Sequence, residues 1–188
     1  MNHRSDQASP WVQRFLSLIP PGEVLDLACG YGRHTRLLAT AGHAVLAVDR
    51  DSDALAGLQG ENIVTQQVDL ENGRAWPYAA DRFAGIVITN YLHRPLFPGI
   101  LASLRAGGVM LVETFALGNG QFGKPSNPDF LLVPGELADL ARSVVPAMHV
   151  VAYEEGYVDL PKPALIQRIC MVKPPFTPET RCFQLHSR

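Results

Sequence analysis

Two glycines at the end of an apolar segment are placed where the chain could bind a small ligand. Residues 23–28 have the length and apolar content of a short buried strand, and Gly30 and Gly32 follow it. Glycine lets the backbone turn tightly and lie against a ligand, because it has no Cβ. The amides that follow open a predicted helix, whose N-terminus favours a carboxylate or a phosphate. We predict a ligand-binding turn here that includes Ala28.

Two carboxylates accompany this turn. Asp26 stands four residues before Gly30, inside the strand, where a buried charge normally requires a partner. It can brace the turn and reach an ammonium group. Asp49 follows Gly30 by 19 residues and comes at the end of the second predicted strand. Its two oxygens can accept hydrogen bonds from both hydroxyls of a ribose, although it could instead cap the helix that starts at Asp51.

The third predicted strand ends with a further acidic residue, Asp69. Its carboxylate can accept a hydrogen bond from the exocyclic amine of adenine, while the backbone amide of Leu70 meets a ring nitrogen. The same stretch is also typical of a surface turn before Asn72. Arg50, next to Asp49, can flank the adenine or remain solvated.

Polar residues follow the fourth predicted strand, which should lie beside the first where the strand order reverses. Asn90 is placed to hold the ligand, and Tyr91, His93 and Arg94 to face a second substrate. His93 could act as a general base or only pack in a loop. Arg94 could orient an anionic substrate through a forked contact. Glu113, near the end of the fifth strand, either lines the same cavity or pairs with an arginine.

Apolar runs typical of buried strands alternate with segments of helical periodicity along the chain. This alternation predicts an α/β fold, an open parallel sheet with right-handed crossovers. Trp11 and Phe15 lie on the apolar side of the first helix and are predicted core residues. Strands are predicted at 23–28, 44–48, 63–68, 83–89, 109–114, 148–153 and 164–172, and helices at 10–19, 33–41, 51–58, 96–104 and 135–144.

Two segments depart from this alternation. Residues 116–133 are rich in Gly and Pro and have little periodicity, and a connection of that length is usually a lid or a binding loop. The last two strands are joined only by residues 154–163, too few for a parallel crossover, so they should form an antiparallel hairpin. We predict one domain over residues 1–173 and a proline-rich tail over 174–188.

Composition limits the classes of protein that this chain could represent. It has 188 residues, 47% of them hydrophobic, and a formal net charge of −2, without the basic excess of a nucleic-acid binder. No apolar run has the length of a membrane span, and residues 1–10 lack an apolar leader region, so we expect a cytoplasmic protein. The three cysteines are far apart without a CxxC pair, so we predict neither a disulfide framework nor a metal site.

The stretch VLDLACGYGR at residues 24–33 resembles motif I of the class I S-adenosylmethionine-dependent methyltransferases. Asp49, Asp69 with Leu70, and Asn90 fall where the later cofactor motifs of that family fall. The resemblance implies S-adenosylmethionine as the cofactor. It also implies a three-layer, doubly wound, seven-stranded sheet with an antiparallel last strand. The stretch NPDFLLVPGEL at residues 127–137 is similar to one in the tellurite-resistance type of bacterial methyltransferase.

These features predict methyl transfer from S-adenosylmethionine to a small-molecule acceptor. The reaction needs mainly a nucleophile held close to the methyl group in a dry site. One alternative is an NAD-dependent oxidoreductase, which would have a third small residue where Thr35 stands and parallel strands throughout the second half of the chain. A second is a regulatory protein that binds the cofactor without catalysis, because methyl transfer needs no invariant catalytic side chain.

Overall fold

The computed structural model describes residues 7–175. In it, helices and strands alternate from residue 10 to residue 115, except that the third strand leads to the fourth without a helix. Most of the predicted tail over 174–188 therefore lies outside the described residues. The α-helices are α1 (Pro10–Phe15), α2 (Arg33–Thr40), α3 (Ser52–Ala56), α4 (Phe97–Ser103) and α5 (Glu136–Ser143). The strands are β1 (Glu23–Leu27), β2 (Ala44–Asp49), β3 (Ile63–Gln67), β4 (Phe83–Thr89), β5 (Leu104–Phe115), β6 (His149–Val158) and β7 (Ala164–Val172).

Within residues 7–175, seven strands form one sheet in the order β3-β2-β1-β4-β5-β7-β6. The neighbours from β3 to β5 are parallel. β7 is antiparallel to both β5 and β6. The mostly parallel sheet and its antiparallel hairpin confirm the predicted fold class. The strand order reverses between β1 and β4, so the carboxyl ends of these two strands flank a crevice.

Alternate side chains of each central strand enter apolar layers on opposite faces of the sheet. In β1, Leu25 and Leu27 join one cluster, together with side chains of α4 and α5. Val24 joins the other cluster, against α1 and α2. Trp11 and Phe15 are fully buried there, as their spacing predicts. Helices thus cover both faces, which gives three layers.

The main difference from the predicted elements lies at the start of β5. Gly107 and Gly108 were expected to stand between a helix and a strand, but β5 already begins at Leu104 and includes both. The amide of Gly107 donates to the carbonyl of Lys173 at 2.8 Å, so the glycines continue the sheet. A Cβ on Gly108 would lie 2.8 Å from the carbonyl oxygen of Arg105, and close backbone packing therefore explains this glycine. β6 also extends further than predicted, to Val158.

Residues 116–132 form a compact loop whose two ends lie side by side, and we refer to it as the Ω-loop. Leu117 and Leu132 close it: the Leu117 amide donates to the Leu132 carbonyl, and the Leu132 amide to the carbonyl of Phe115, both at 2.9 Å. The buried Asn119 side chain holds it from inside, donating to the Pro125 carbonyl at 3.0 Å and accepting from the Leu165 amide at 3.2 Å. The loop is thus fixed by its own side chains.

The remaining sequence predictions concern membrane spans, metal sites and cysteines. No helix in residues 7–175 combines the length and the apolar character needed to cross a membrane. In the same part of the chain, no cluster of three or more His, Cys, Asp or Glu side chains is arranged to hold a metal ion. Cys29 and Cys170 are buried, free thiols.

Candidate active site

A cavity of about 430 Å³ opens at the carboxyl ends of the parallel strands, where open α/β sheets bind their ligands. Its volume lies within the range of small-molecule sites. Residues from the ends of β1, β2, β3, β4 and β5 and from the Ω-loop line it. They are Ala28, Val48, Asp49, Arg50, Val68, Asp69, Leu70, Glu71, Asn90, Tyr91, Leu92, Thr114, Phe115, Pro125 and Phe130.

The backbone leaves both central strands in a left-handed conformation at this cavity. Ala28, just after β1, has φ 54°, and Asn90, just after β4, has φ 55°. Such φ values are uncommon outside glycine, and for alanine they cost about 1 kcal/mol or more. The strain is held by the sheet: the Asn90 amide still donates to the Glu113 carbonyl at 2.9 Å. Strained residues at a crevice are typical of binding sites.

The glycine turn follows Ala28, and its two glycines have different roles. Gly32 has φ 75°, and a Cβ there would lie 2.0 Å from a methyl carbon of Leu58, so no other residue fits without rearrangement. Gly30 has φ 54°, but a Cβ there would meet no atom within 4 Å. Neither glycine is among the residues that line the cavity. Cys29, between β1 and the turn, is buried, and burial raises the pKa of its thiol well above the usual range.

Asp49 joins the end of β2 to the glycine turn. Its Oδ2 accepts a hydrogen bond from the Gly30 amide at 2.7 Å, and its Oδ1 accepts from the Asp51 amide at 3.0 Å. Helix α3 is capped by Asp51 instead, which accepts from the amides of Asp53 and Ala54. A carboxylate has about four acceptor positions, so Asp49 keeps about two for a ligand in the cavity that it lines.

Asp26 is fully buried and braces the turn from inside. The Thr35 hydroxyl donates to its Oδ2 at 2.6 Å, and the Thr35 amide also donates to this carboxyl. Asp26 therefore caps α2 from the neighbouring strand. Burial raises the pKa of Asp26 to about 7, although both Thr35 hydrogen bonds and the positive charge of Arg33 oppose the shift. Its side chain does not reach the lining of the cavity.

Residues of the segment that follows β3 also line the cavity. Asp69 accepts a hydrogen bond from the Glu71 amide at 2.9 Å, so it forms a local turn and lines the cavity at once. Leu70, and Arg50 just after the end of β2, also line the cavity. Glu71 was not predicted to belong to the site, and no local pattern distinguishes it from other surface glutamates.

The structure separates the predicted substrate-side residues. Tyr91 lines the cavity, and its hydroxyl donates a hydrogen bond to the Glu71 carboxylate. Burial and the negative charge of Glu71 raise the pKa of Tyr91 above the usual range. His93 is not among the lining residues. Glu113 pairs with Arg168 at 3.4 Å, which is the ion-pair alternative of the sequence prediction.

Arg94 also lies outside the cavity lining, because its guanidinium is engaged within the protein. It forms a forked contact with Glu136, at 2.6 Å from Nε and 2.9 Å from Nη2. It also donates to the backbone carbonyl of Asp129 at 2.8 Å and to that of Leu131 at 2.9 Å. The forked geometry is thus present, but its partner is Glu136, 42 positions further along the chain, and not a substrate.

A buried histidine links the cavity to the N-terminal helix. The Ser9 amide donates to His34 Nε2 at 3.0 Å, so the neutral ring carries its proton on Nδ1 and donates it to the Thr89 hydroxyl at 3.2 Å. Burial lowers the pKa of His34 to about 3, which keeps the ring neutral. His34 therefore positions the end of β4, next to Asn90, and does not titrate near neutral pH.

The sheet order, the glycine turn and the acidic strand ends together define a class I methyltransferase type of fold. Residues 1–152 match the family model described as a methyltransferase domain, and the chain belongs to this family. No curated protein sequence matches the chain.

Solved structures with the same fold include several methyltransferases. TehB from Haemophilus influenzae superposes with a TM-score of 0.71 at 20% identity, over 89% of this chain and 63% of the TehB chain. An S-adenosylmethionine-dependent methyltransferase from Mesorhizobium loti gives 0.66 at 17% identity, over 89% and 99%. A TehB-like S-adenosylmethionine-dependent methyltransferase from Corynebacterium glutamicum gives 0.60 at 19% identity, over 88% and 89%. These likenesses confirm the predicted fold, and this chain spans less than two thirds of the TehB chain.

Proposed function

We propose that the protein transfers a methyl group from S-adenosylmethionine to a small-molecule acceptor. The observation that carries the proposal is the cavity at the ends of β1 to β5. It is lined by carboxylates on two neighbouring strand ends, Asp49 and Asp69, and by strained backbone at Ala28 and Asn90. The structural neighbours that are S-adenosylmethionine-dependent methyltransferases have this same fold.

The residues present fit the parts of S-adenosylmethionine. Asp49 retains acceptor positions for the two ribose hydroxyls. The Asp69 carboxylate and the Leu70 amide match the amine and a ring nitrogen of adenine, which Arg50 flanks. The strained backbone of Ala28 and Asn90 borders the space left for the methionine portion.

The glycine turn supports the donor through its backbone and through charge, because Gly30, Gly32 and Asp26 do not line the cavity themselves. Gly30 and Gly32 shape the backbone that leads into α2, whose N-terminus favours a carboxylate. Asp26, under the turn, favours a cation such as an ammonium group above it. This cation would in turn stabilise the ionised form of Asp26.

The chain contributes to the reaction by holding the acceptor and excluding water. When bound, S-adenosylmethionine supplies an electrophilic methyl group on a sulfonium that leaves as a neutral thioether. Tyr91, Phe115 and Phe130 close the cavity around the acceptor and keep it near the methyl carbon. None of the lining residues is a histidine or a lysine, and the Tyr91 hydroxyl is committed to Glu71. Of the lining carboxylates, Asp49 and Asp69 are assigned to the donor and Glu71 to the contact with Tyr91, so no general base is assigned.

Two measurements test this function against its alternatives. Calorimetric titration should show binding of S-adenosylmethionine and none of NADH, and the reverse would favour an oxidoreductase. Transfer of a labelled methyl group should then be screened over small thiols, amines, carboxylates and oxyanions. Binding without transfer to any acceptor would favour a regulatory protein.

A pair of matched variants tests the adenine contact. Asp69→Asn should weaken S-adenosylmethionine binding about tenfold, because the amide presents one acceptor oxygen fewer to the adenine amine. Asp53→Asn changes an exposed acid on α3 outside the cavity lining and should leave the affinity unchanged. Equal affinities in both variants would remove Asp69 from the proposed site.

A further inference from the structure

The lining of the cavity divides into two ends of different chemistry. The carboxyl ends of β1, β2 and β3 contribute all of its charged side chains: Asp49, Arg50, Asp69 and Glu71. The other end, which we refer to as the acceptor end, is formed by the residues after β4, the end of β5 and the Ω-loop. It consists of Tyr91, Leu92, Thr114, Phe115, Pro125 and Phe130.

The acceptor end is aromatic and carries no charged side chain. It is lined by the aromatic residues Tyr91, Phe115 and Phe130 and by Pro125. Its side-chain polar groups are the hydroxyls of Thr114 and Tyr91, and the latter already interacts with Glu71. An apolar surface of this kind favours burial of an apolar acceptor.

Two arginines near the acceptor end are already engaged. Arg94 binds Glu136 and two backbone carbonyls. Arg168 pairs with Glu113 and Glu154. The Lys162 ammonium lies 5.8 Å from the centre of the Phe115 ring, and Lys162 is not part of the lining. Among the described residues that line the cavity, Arg50 is the one cation and there are three carboxylates, so an anionic acceptor would be desolvated and repelled.

The position of Phe130 is fixed by its neighbours in the chain. Arg94 binds the carbonyls of Asp129 and Leu131, the residues on either side of Phe130. The Glu136 carboxylate that holds Arg94 also accepts from the Val133 amide at 2.8 Å. The aromatic wall is therefore built before an acceptor arrives, which favours selectivity over adaptation.

The acceptor end contains no histidine, lysine or carboxylate among the described residues, and this further restricts the acceptor. Amines are protonated near neutral pH and hydroxyls need a base, whereas a thiol is strongly nucleophilic with only a small thiolate fraction. We infer that the acceptor end binds a small, uncharged, apolar thiol and discriminates against carboxylates and oxyanions, an inference that rests on the proposed methyl transfer. The sulfur electron pair forms the new bond to the methyl carbon, and the carbon–sulfonium bond breaks with its electrons to the leaving thioether. The thiol proton passes to solvent water.

A pair of acceptors that differ by one charge tests this inference. Benzyl mercaptan and 4-(mercaptomethyl)benzoate carry the same nucleophile, and tellurite serves as an oxyanion probe. Transfer of a labelled methyl group should give a kcat/KM about 100-fold higher for benzyl mercaptan, because the aromatic wall cannot solvate the carboxylate. Tellurite should be methylated no better than the carboxylate.

Variants of two phenylalanines on the same loop supply the control. Phe130→Arg places a cation at the acceptor end. It should reduce the ratio of kcat/KM for benzyl mercaptan to that for 4-(mercaptomethyl)benzoate by about tenfold or more. Phe122→Arg changes an exposed ring that packs on Tyr157 outside the lining and should leave the preference unchanged. The dissociation constant for S-adenosylmethionine should stay the same in both variants.

The outcomes separate the two proposals. Failure of the wild-type protein to bind S-adenosylmethionine would refute the proposed function itself. Binding of the donor together with equal or better methylation of the carboxylate or of tellurite would overturn the inference about the acceptor and leave the function intact. The inference would also fall if benzyl mercaptan were not methylated while another acceptor was, or if Phe130→Arg and Phe122→Arg behaved alike.

Discussion

Replacing Asp26 with asparagine should raise the free energy of unfolding, relative to that of the wild type, more at pH 8 than at pH 5. Burial raises the pKa of this carboxyl from its ordinary value of 3.8 to about 7. Near pH 8 the wild-type protein must therefore keep an ionised carboxylate in its interior, or unfold. Asparagine has nearly the same shape and presents an oxygen that can still accept the hydrogen bond from the Thr35 hydroxyl. The variant removes the charge and keeps the brace.

The magnitude follows from the two pKa values. Between pH 3.8 and about pH 7, the folded protein holds a proton on Asp26 that the unfolded chain has released. The folded state then binds more protons, so the free energy of unfolding falls as pH rises. The pKa values differ by about 3, and each pH unit is worth about 1.4 kcal/mol, so the total loss is about 4 kcal/mol. About 3 kcal/mol of this falls between pH 5 and pH 8.

Urea unfolding at pH 5 and pH 8, without ligand, measures this effect. The difference in unfolding free energy between Asp26→Asn and the wild type should grow by about 3 kcal/mol in favour of the variant. Asp139→Asn serves as the control, because the Asp139 side chain is 77% exposed and its partner is an exposed arginine. If the Asp26→Asn difference were the same at both pH values, the carboxyl would not be held protonated by burial and the reasoning would be wrong.

Three further predictions follow from single contacts. Gly32→Ala should lower the free energy of unfolding by about 3 kcal/mol, because its Cβ would overlap Leu58, while Gly30→Ala should cost about 1 kcal/mol for its positive φ alone; denaturant titration separates them. His34→Ala should lower the free energy of unfolding by about 2 kcal/mol more at pH 8 than at pH 5. The folded pKa of about 3 lies below the unfolded value of 6.5, so the neutral ring stabilises the wild type above pH 6.5, and this contribution is lost as pH falls. Equal losses at both pH values would contradict the neutral ring. Arg94→Lys cannot reproduce the contacts with Glu136 and two carbonyls, so the KM of the acceptor should rise about tenfold while the affinity for S-adenosylmethionine stays within about twofold. Arg142→Lys, an exposed arginine of α5, is its control, and a parallel loss of donor affinity in Arg94→Lys would assign Arg94 a general structural role.

The fold could be predicted from the sequence because its determinants are local. Strand and helix periodicity set the alternation, and the short connection before Ala164 requires an antiparallel hairpin. The predicted start of β5 was wrong, because paired glycines normally indicate a turn. At Gly107 and Gly108 the pairing with Lys173, more than sixty residues away, keeps the backbone in the sheet. A distant partner of this kind has no local signal.

The difference between local determinants and distant partners also decides which site residues could be predicted. The glycine turn and Asp49 lie close together in sequence terms, with one crossover between them, so their spacing indicates a nucleotide-like ligand. Glu71 and Phe130 enter the cavity through loops whose course depends on tertiary contacts. The forked contact predicted for Arg94 does form, but the sequence could not identify Glu136 as its partner.

Affinity for S-adenosylmethionine in variants of Asp49 tests the central claim most directly. In Asp49→Ala both oxygens that would accept the ribose hydroxyls are lost, and the Gly30 amide loses its acceptor. Two charge-assisted hydrogen bonds are worth about 3 kcal/mol together, so calorimetry should show a dissociation constant about 100-fold higher than that of the wild type. Asp53→Asn should bind as the wild type does. A folded Asp49→Ala protein with undiminished affinity would contradict the account.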